Sequence, residues 1–130
     1  MARSPFLSWN GVDPWQIYPG VHLHAAGGER VLLCRVTYAP GTDVARHTHE
    51  ASEQLMVITD GSVEVTIGTE TRKLEAGDAC VITRGIEHEL HSAEGATFFE
   101  ALSPVPLDHV PDRDRDLVLG ADGDTLHVAR

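Results

Sequence analysis

The chain has 130 residues and a formal net charge of −10 at pH 7. This length fits one domain with a substantial hydrophobic core, and the acidic charge argues against nucleic acid or an anionic membrane as a partner, because both bind basic surfaces. Residues 1–11 contain no apolar leader, and no stretch approaches the roughly 20 apolar residues of a membrane span. We therefore expect a cytoplasmic protein in which Cys34 and Cys80 are buried free thiols.

The two ends of the chain differ in composition from its middle. Pro and Gly residues predict an irregular N-terminal arm over residues 1–29, and we expect its Trp9, Trp15 and Tyr18 to pack on the body of the protein or on a partner subunit. Residues 107–130 are polar and rich in Asp. They predict an acidic C-terminal tail, either mobile or lying as a strap along a dimer partner, with residues 117–119 as its docking point.

Between these ends, the sequence predicts strands and no convincing helix. Residues 54–59 are apolar on both faces, which predicts a strand that is covered on both sides. Asp60-Gly61 follows and has the composition of a two-residue type I′ hairpin turn. Short strands separated by frequent turns are typical of an all-β sandwich or barrel. The predicted strands cover residues 30–38, 54–59, 62–67, 72–74, 79–82, 87–91 and 96–102.

Three histidines and an oxygen donor form the strongest candidate for a functional site. His47 and His49 are two residues apart, so an extended chain directs both imidazoles to the same face. His88 begins a later predicted strand, and neutral imidazole is a common ligand of Zn, Ni and Fe. Glu53 and Gln54 are both possible oxygen ligands. On a regular strand these two face opposite sides, so only one of them can reach the metal.

The same residues carry a resemblance to a known family. Residues 41–61 resemble cupin motif 1, and residues 77–92 resemble cupin motif 2 with Thr83 and Ser92 in place of its Pro and Asn. The matching residues are Gly41, His47, His49 and Gly61 in the first motif and Gly77, Gly85 and His88 in the second.

This resemblance implies an all-β fold, the double-stranded β-helix or jelly-roll barrel of small RmlC-like cupins, over residues 30–106. The spacing before Gly61 puts Gln54, rather than Glu53, at the family's usual acidic ligand position. The implied ligands of one divalent metal ion are therefore His47, His49, Gln54 and His88. Single-domain cupins are also similar to one another in forming dimers, which implies a homodimer. Trp9, Trp15, Leu55 and Val57 lie away from the implied ligands and form the predicted interface.

Imidazole and amide ligands are neutral, so such a site leaves a divalent ion its full charge as a Lewis acid. These ligand types do not distinguish Zn, Ni, Fe and Mn. Glu100 lies on the last predicted strand and is the candidate general base if its side chain faces the cavity, because burial moves a carboxyl pKa towards neutral. The remaining histidines are expected at the surface: His22, His24, His91, His109 and His127. His22 and His24 share one face of a possible strand and could instead line the mouth of the pocket.

The His-x-His-x4-Gln pattern with a distal His is similar to that of cupins that linearise unsaturated uronates and of cupin polyketide cyclases. Residues 100–104 resemble an acid-x-Phe-Ser-Pro element of the uronate enzymes. Here Leu102 replaces the Phe, and Pro106 replaces a following Arg, which is the natural bidentate partner of a substrate carboxylate.

We predict a metal-dependent enzyme that catalyses isomerisation, cyclisation or elimination of an oxygen-rich small molecule, such as a sugar, a uronate or a polyketide. One alternative is an Fe- or Ni-dependent dioxygenase that uses the same ligands. The other is a non-catalytic module that binds a metal or a small molecule.

Overall fold

The computed structural model describes residues 5–117, apart from the side chain of Asp114. Within that range the chain forms nine strands, a 3-10 turn at Leu107–His109 and the short helix α1 at Arg113–Asp116. The strands are β1 (Trp15–Tyr18), β2 (Val21–Gly27), β3 (Leu32–Tyr38), β4 (Thr42–His47), β5 (Glu53–Ile67), β6 (Glu70–Glu75), β7 (Ala79–Ile82), β8 (His88–Ser92) and β9 (Ala96–Ser103).

The strands form an antiparallel jelly-roll barrel built around β5. Hydrogen bonds connect them in the order β1-β2-β3-β9-β5-β8-β4, and β6 and β7 also pair with β5. The first half of β5 pairs with β9 and β7 in one layer, and its second half pairs with β6 and β8 in the other. The predicted all-β jelly-roll fold is confirmed.

The predicted hairpin turn at Asp60-Gly61 is wrong, because β5 continues through it. The register between β5 and β9 shifts between Ile58 and Asp60, so this point is a bulge at which the strand bends from one layer into the other. Gly61 has a φ of +73°, and a Cβ there would lie 2.1 Å from the carbonyl oxygen of Gly95. The Asp-Gly pair thus permits a bend within one strand rather than a turn between two.

Alternating side chains of the two layers fill the barrel. Val21, Leu23 and Ala25 of β2 point inward, and Val63 and Val65 in the second half of β5 do the same. Other buried apolar residues of this core are Leu32, Cys34, Val36, Tyr38, Met56, Ile58, Ile82, Leu90, Phe98 and Leu102. Both cysteines are free, and Cys34 is buried while Cys80 is half-buried.

The N-terminal segment is more regular than the sequence suggested. Residues 15–18 and 21–27 form β1 and β2, and β2 pairs with β3 along its whole length. The expectation of an irregular segment up to residue 29 is therefore wrong. Trp9 anchors the chain before β1, because its indole Nε1 donates a hydrogen bond of 3.2 Å to the carbonyl of Ala25 and its ring stacks on Phe99.

The chain beyond β9 packs against the barrel as far as it is described. His109, Val110 and Asp116 are buried, and Leu117 forms a bridge with Gly27. Residues 118–130, and with them most of the predicted docking point, lie outside the described residues. Between residues 5 and 117 no helix is both long and apolar enough to cross a membrane.

Candidate metal centre

Two neighbouring strands bring three histidines together. His47 is the last residue of β4 and lies directly opposite His88, the first residue of β8, in the antiparallel pairing. His49 follows two residues after β4 ends, and its ring centroid lies 5.1 Å from that of His47 and 5.1 Å from that of His88. One ring nitrogen of each histidine lies within 4.8 Å of those of the other two. This spacing is compatible with ligation of a single ion.

Backbone carbonyls orient two of these rings. Nδ1 of His47 donates to the carbonyl of Ala45 at 2.7 Å, and Nδ1 of His88 donates to that of Ile86 at 3.1 Å. These hydrogen bonds place the proton on Nδ1 and leave a lone pair on each Nε2. Nε2 of His88 is buried and has no hydrogen-bond partner. A backbone acceptor on the far nitrogen is the usual arrangement of a histidine metal ligand.

An amide from β5 lines the same cavity as the three histidines. Nε2 of Gln54 donates a hydrogen bond of 2.6 Å to Oε2 of Glu100 on β9, which directs the amide oxygen away from the carboxylate. Oε1 of Gln54 is buried without a partner. Glu53, the alternative oxygen ligand, is exposed on the opposite face of β5.

The residues present fit a divalent metal ion. Within residues 5–117, the buried side-chain polar atoms that lack a hydrogen-bond partner are Oε1 of Gln54 and Nε2 of His88. Both residues line the same cavity as His47 and His49. An unpaired buried acceptor costs about 1–3 kcal/mol, and a cation bound between these atoms would remove that cost for both of them.

Burial lowers the pKa of His49 and favours the neutral imidazole that binds metal. Together with the neighbouring rings of His109, His88 and His47, and against the opposing effect of Asp108, it brings this pKa to about 4. The pKa of His88 is also lowered, chiefly by burial and against the opposing effect of its hydrogen bond to the Ile86 carbonyl. A metal ion in this site would therefore compete little with protons near neutral pH.

Glu100 lies in the same cavity. Its side chain is buried, which raises the pKa of its carboxyl group, and nearby His109 opposes that shift. Its predicted role as general base requires a carboxylate that faces the cavity, and the carboxylate does so. Tyr38 also lines the cavity, whereas the guanidinium of Arg35 lies outside the barrel over the ring of Trp9, 5.2 Å from its centroid.

His109 is a cavity residue that the sequence analysis missed. Its expected exposure is wrong: the 3-10 turn after β9 buries the ring, whose centroid lies 5.5 Å from that of His49. Nε2 lies 3.9 Å from Oε1 of Glu100, and Nδ1 lies 2.9 Å from Oδ1 of Asp108. Apolar residues flank His109 in the sequence, Leu107 and Val110. They could have indicated that this segment packs against the barrel.

The cavity that these residues surround is narrow, with about 30 Å³ of free space. That is room for an ion with one or two waters. Its rim is formed in part by Tyr18, which is 43% exposed. His91, by contrast, lies outside the barrel in contact with Asp43.

An antiparallel jelly roll that gathers histidines from β4 and β8 beside an amide from β5 defines a cupin-type barrel with a candidate metal centre. The profile of the cupin domain matches residues 34–102, more than half of the chain. The chain belongs to the cupin family.

Similarity to individual cupins is moderate. Pectin degradation protein KdgF of Dickeya dadantii (strain 3937) is 32% identical over 79 residues, which cover 60% of this chain and 71% of that protein. Tetracenomycin polyketide synthase protein TcmJ of Streptomyces glaucescens is 29% identical over 68 residues, which cover 52% of this chain and 46% of TcmJ. The chain spans about half the length of TcmJ and of two germin-like proteins of Oryza sativa subsp. japonica.

A solved structure shares the whole barrel. KdgF from Halomonas sp. superposes with a TM-score of 0.77 at 24% sequence identity, covering 82% of this chain and 99% of that chain. At this level of identity, the likeness establishes the fold.

Proposed function

We propose that this cupin is a metal-dependent enzyme that catalyses isomerisation, cyclisation or elimination of an oxygen-rich small molecule. The observation that carries the proposal is the pair of unpartnered buried atoms, Oε1 of Gln54 and Nε2 of His88, beside two further imidazoles. His47, His49, Gln54 and His88 would hold one divalent ion of Zn, Ni, Fe or Mn. When bound, that ion would supply Lewis-acid activation of a substrate oxygen.

The protein itself contributes a carboxyl group and exclusion of water. We assign to Glu100 the role of general base, with Oε1 as the atom that holds the proton, because Oε2 is occupied by the amide of Gln54. Burial raises the pKa of this carboxyl group, and a raised pKa suits proton transfer near neutral pH. Val36, Leu90 and Phe98 line the cavity and limit the water that can enter.

The relatives support this class of activity in outline. KdgF is described as a pectin degradation protein and TcmJ as a polyketide synthase protein. Pectin and polyketides are both oxygen-rich. A sugar-derived or polyketide-like substrate is therefore our proposal for the general class.

Elemental analysis tests the metal centre. We expect about one divalent ion per chain in protein purified without an affinity-tag metal, and little or none in His47→Ala and His88→Ala. Incubation of the loaded protein with candidate substrates in air and under nitrogen then tests the reaction class. Turnover that continues without oxygen supports the proposal, and turnover that needs oxygen would instead indicate a dioxygenase. A chain that neither contains metal nor takes it up on titration would contradict the proposed function.

We also propose a homodimer formed through an outer apolar row, the exposed side chains of Leu33, Leu55 and Val81 with Val57 beside them. Strand register makes the row continuous, since Leu33 and Leu55 both face Ala101, and Leu55 faces Val81. The side chains of this row are uncharged, so two copies can approach there despite a net charge of −10.

The other two residues of the predicted interface have contacts within their own chain. Trp9 packs on Ala25 and Phe99, and Trp15 packs against the hydrophobic core. Leu55 and Val57 are the members of that predicted interface that remain exposed, at 48% and 40%.

A further inference from the structure

Strand β4 contains a bulge just before His47. In the pairing of β4 with β8, Val44 lies opposite Leu90. His47 comes three residues later but lies opposite His88, only two residues from Leu90, so β4 holds one extra residue at this point. Without it, alternation would direct Val44 and Arg46 to one face of the strand and His47 to the other. The bulge therefore turns His47 towards the cavity that Val44 also lines, and it turns Arg46 outward.

The side chain of Arg46 ties this bulge to the two neighbouring strands. Its Nε donates a hydrogen bond of 2.6 Å to Oε2 of Glu87, and its Nη2 donates one of 2.9 Å to the carbonyl of Gly68. Glu87 directly precedes His88, the first residue of β8. Gly68 directly follows Ile67, the residue of β5 that pairs with His88. One guanidinium group thus connects β4 to β5 and β8 at the level where the histidines meet.

The segment that Arg46 binds is itself attached to the other two histidines. The amide of Gly85 donates a hydrogen bond of 2.8 Å to the carbonyl of His49. The carbonyl of Ile86 accepts the hydrogen bond from Nδ1 of His88. Movement of the β4 bulge relative to this segment would therefore displace the ring of His47 relative to both other rings.

The charge of Arg46, in contrast to its hydrogen bonds, opposes a cation at this site. Burial is the chief cause of the lowered pKa of His88, and the charge of Arg46 contributes to it. Glu87 and Glu89 lie beside the guanidinium and offset part of this charge. By charge alone, removal of the guanidinium should strengthen the binding of a divalent ion, because like charges repel. Loss of its hydrogen bonds should weaken that binding, so the two effects have opposite signs.

We propose that Arg46 is a positioning residue of the metal centre, which holds the β4 bulge in the form that directs His47 towards the other ligands. Arg46 does not line the cavity, so it acts through His47. Two hydrogen bonds from one planar group fix the bulge more closely than a single point charge would. The inference rests on the proposed function, because it takes His47 as a ligand of the metal ion.

The test measures metal binding in a variant that lacks the guanidinium. Arg46→Met keeps an unbranched apolar side chain and removes both hydrogen bonds. We expect it to bind Zn²⁺ about tenfold more weakly than the wild type, at the lower end of the loss that follows removal of a group that supports a metal ligand. Competition with a chromogenic chelator measures the affinity. The visible absorption bands of the Co²⁺-loaded protein report the geometry of the ligands, and we expect them to shift in Arg46→Met.

Two further variants separate position from charge. Arg72→Met removes the same side chain from an exposed ion pair with Glu70 on β6 and should keep the wild-type affinity and spectrum. Arg46→Lys keeps the charge but has one nitrogen where the guanidinium uses two, so its affinity should lie between those of the wild type and Arg46→Met. If Arg46→Met does not fold, Arg46→Lys decides the question, because wild-type affinity there would contradict the inference.

The outcomes distinguish this inference from the proposed function. Unchanged or tighter binding by Arg46→Met, an unchanged Co²⁺ spectrum, or equal weakening in Arg72→Met would overturn the inference and leave the metal centre intact. A wild type that takes up no metal would overturn the proposed function, and the inference with it.

Discussion

The first half of β5 has an inner face that is fully enclosed and an outer face that is open to solvent. Gln54, Met56 and Ile58 point into the barrel and are at most 4% exposed, whereas Leu55 and Val57 point outward and are 48% and 40% exposed. The inner face combines core packing with one amide that lines the cavity of the histidine cluster. The outer face presents apolar side chains that the described residues leave exposed. The proposed metal centre depends on the inner face and the proposed dimer on the outer face. A shift of one residue in strand register would therefore turn the inner side chains outward and the outer side chains inward.

Removal of the metal should give the largest change in the free energy of unfolding. It acts through the inner face alone. Free metal at about 100 to 1,000 times its dissociation constant stabilises a folded protein by roughly 3 to 4 kcal/mol. Chelation should therefore lower the free energy of unfolding by that amount, measured by urea denaturation with and without chelator. His47→Ala should not respond to the chelator, whereas His91→Ala, which changes an exposed histidine on β8, should respond like the wild type. A wild-type stability that is insensitive to chelator would contradict the metal centre.

Replacement of adjacent residues on β5 separates its two faces directly. Gln54→Ala should lower metal affinity by at least about 10- to 100-fold, the loss that follows removal of a group that only supports a ligand. It should also lower the unfolding free energy of the metal-free protein by about 1–3 kcal/mol, because Glu100 loses its buried partner. The exposed control Glu53→Ala should change stability by less than about 0.5 kcal/mol and leave metal affinity unchanged. Competition with a chromogenic chelator measures the affinities. The reverse pattern would show that Glu53 is the ligand.

A charge on the outer face should break the dimer and leave the metal centre intact. Leu55→Lys puts an ammonium group into the outer apolar row and should give a monomer by light scattering at micromolar concentration, with wild-type metal content. Thr69→Lys makes the same change of charge in the exposed turn between β5 and β6, and it should remain dimeric. A wild type that is itself monomeric would refute the proposed interface.

Local spacing predicted an all-β fold, and the resemblance to the two cupin motifs supplied the jelly-roll barrel. His47 and His88 lie at the paired ends of β4 and β8, and His49 follows two residues after β4. The sequence did not predict that β5 continues past Gly61, since an Asp-Gly pair fits a bulge as well as a hairpin turn.

Side chains positioned by distant parts of the chain were harder to predict. His109 enters the cavity because the chain turns back after β9, and residue spacing carries no record of that long-range packing. A run that is apolar on both faces predicted cover on both sides of residues 54–59, and residues 5–117 cover only the inner one. The exposure of Leu55 and Val57 is compatible with their predicted place in a dimer interface, which stays a prediction.

Acid should also weaken the metal-free protein, through the histidine cluster. The pKa of His49 is lowered, chiefly by burial, to about 4, compared with 6.5 for an unperturbed histidine. Between these values the unfolded chain binds a proton at His49 that the folded chain does not bind, so the free energy of unfolding falls as the pH falls from about 6.5 towards 4. His88 is shifted in the same direction. Urea denaturation of chelator-treated protein across this range should show a shallower pH dependence in His49→Asn, whereas Leu55→Lys on the outer face should keep the wild-type slope. An unchanged slope in His49→Asn would place the acid sensitivity elsewhere in the barrel.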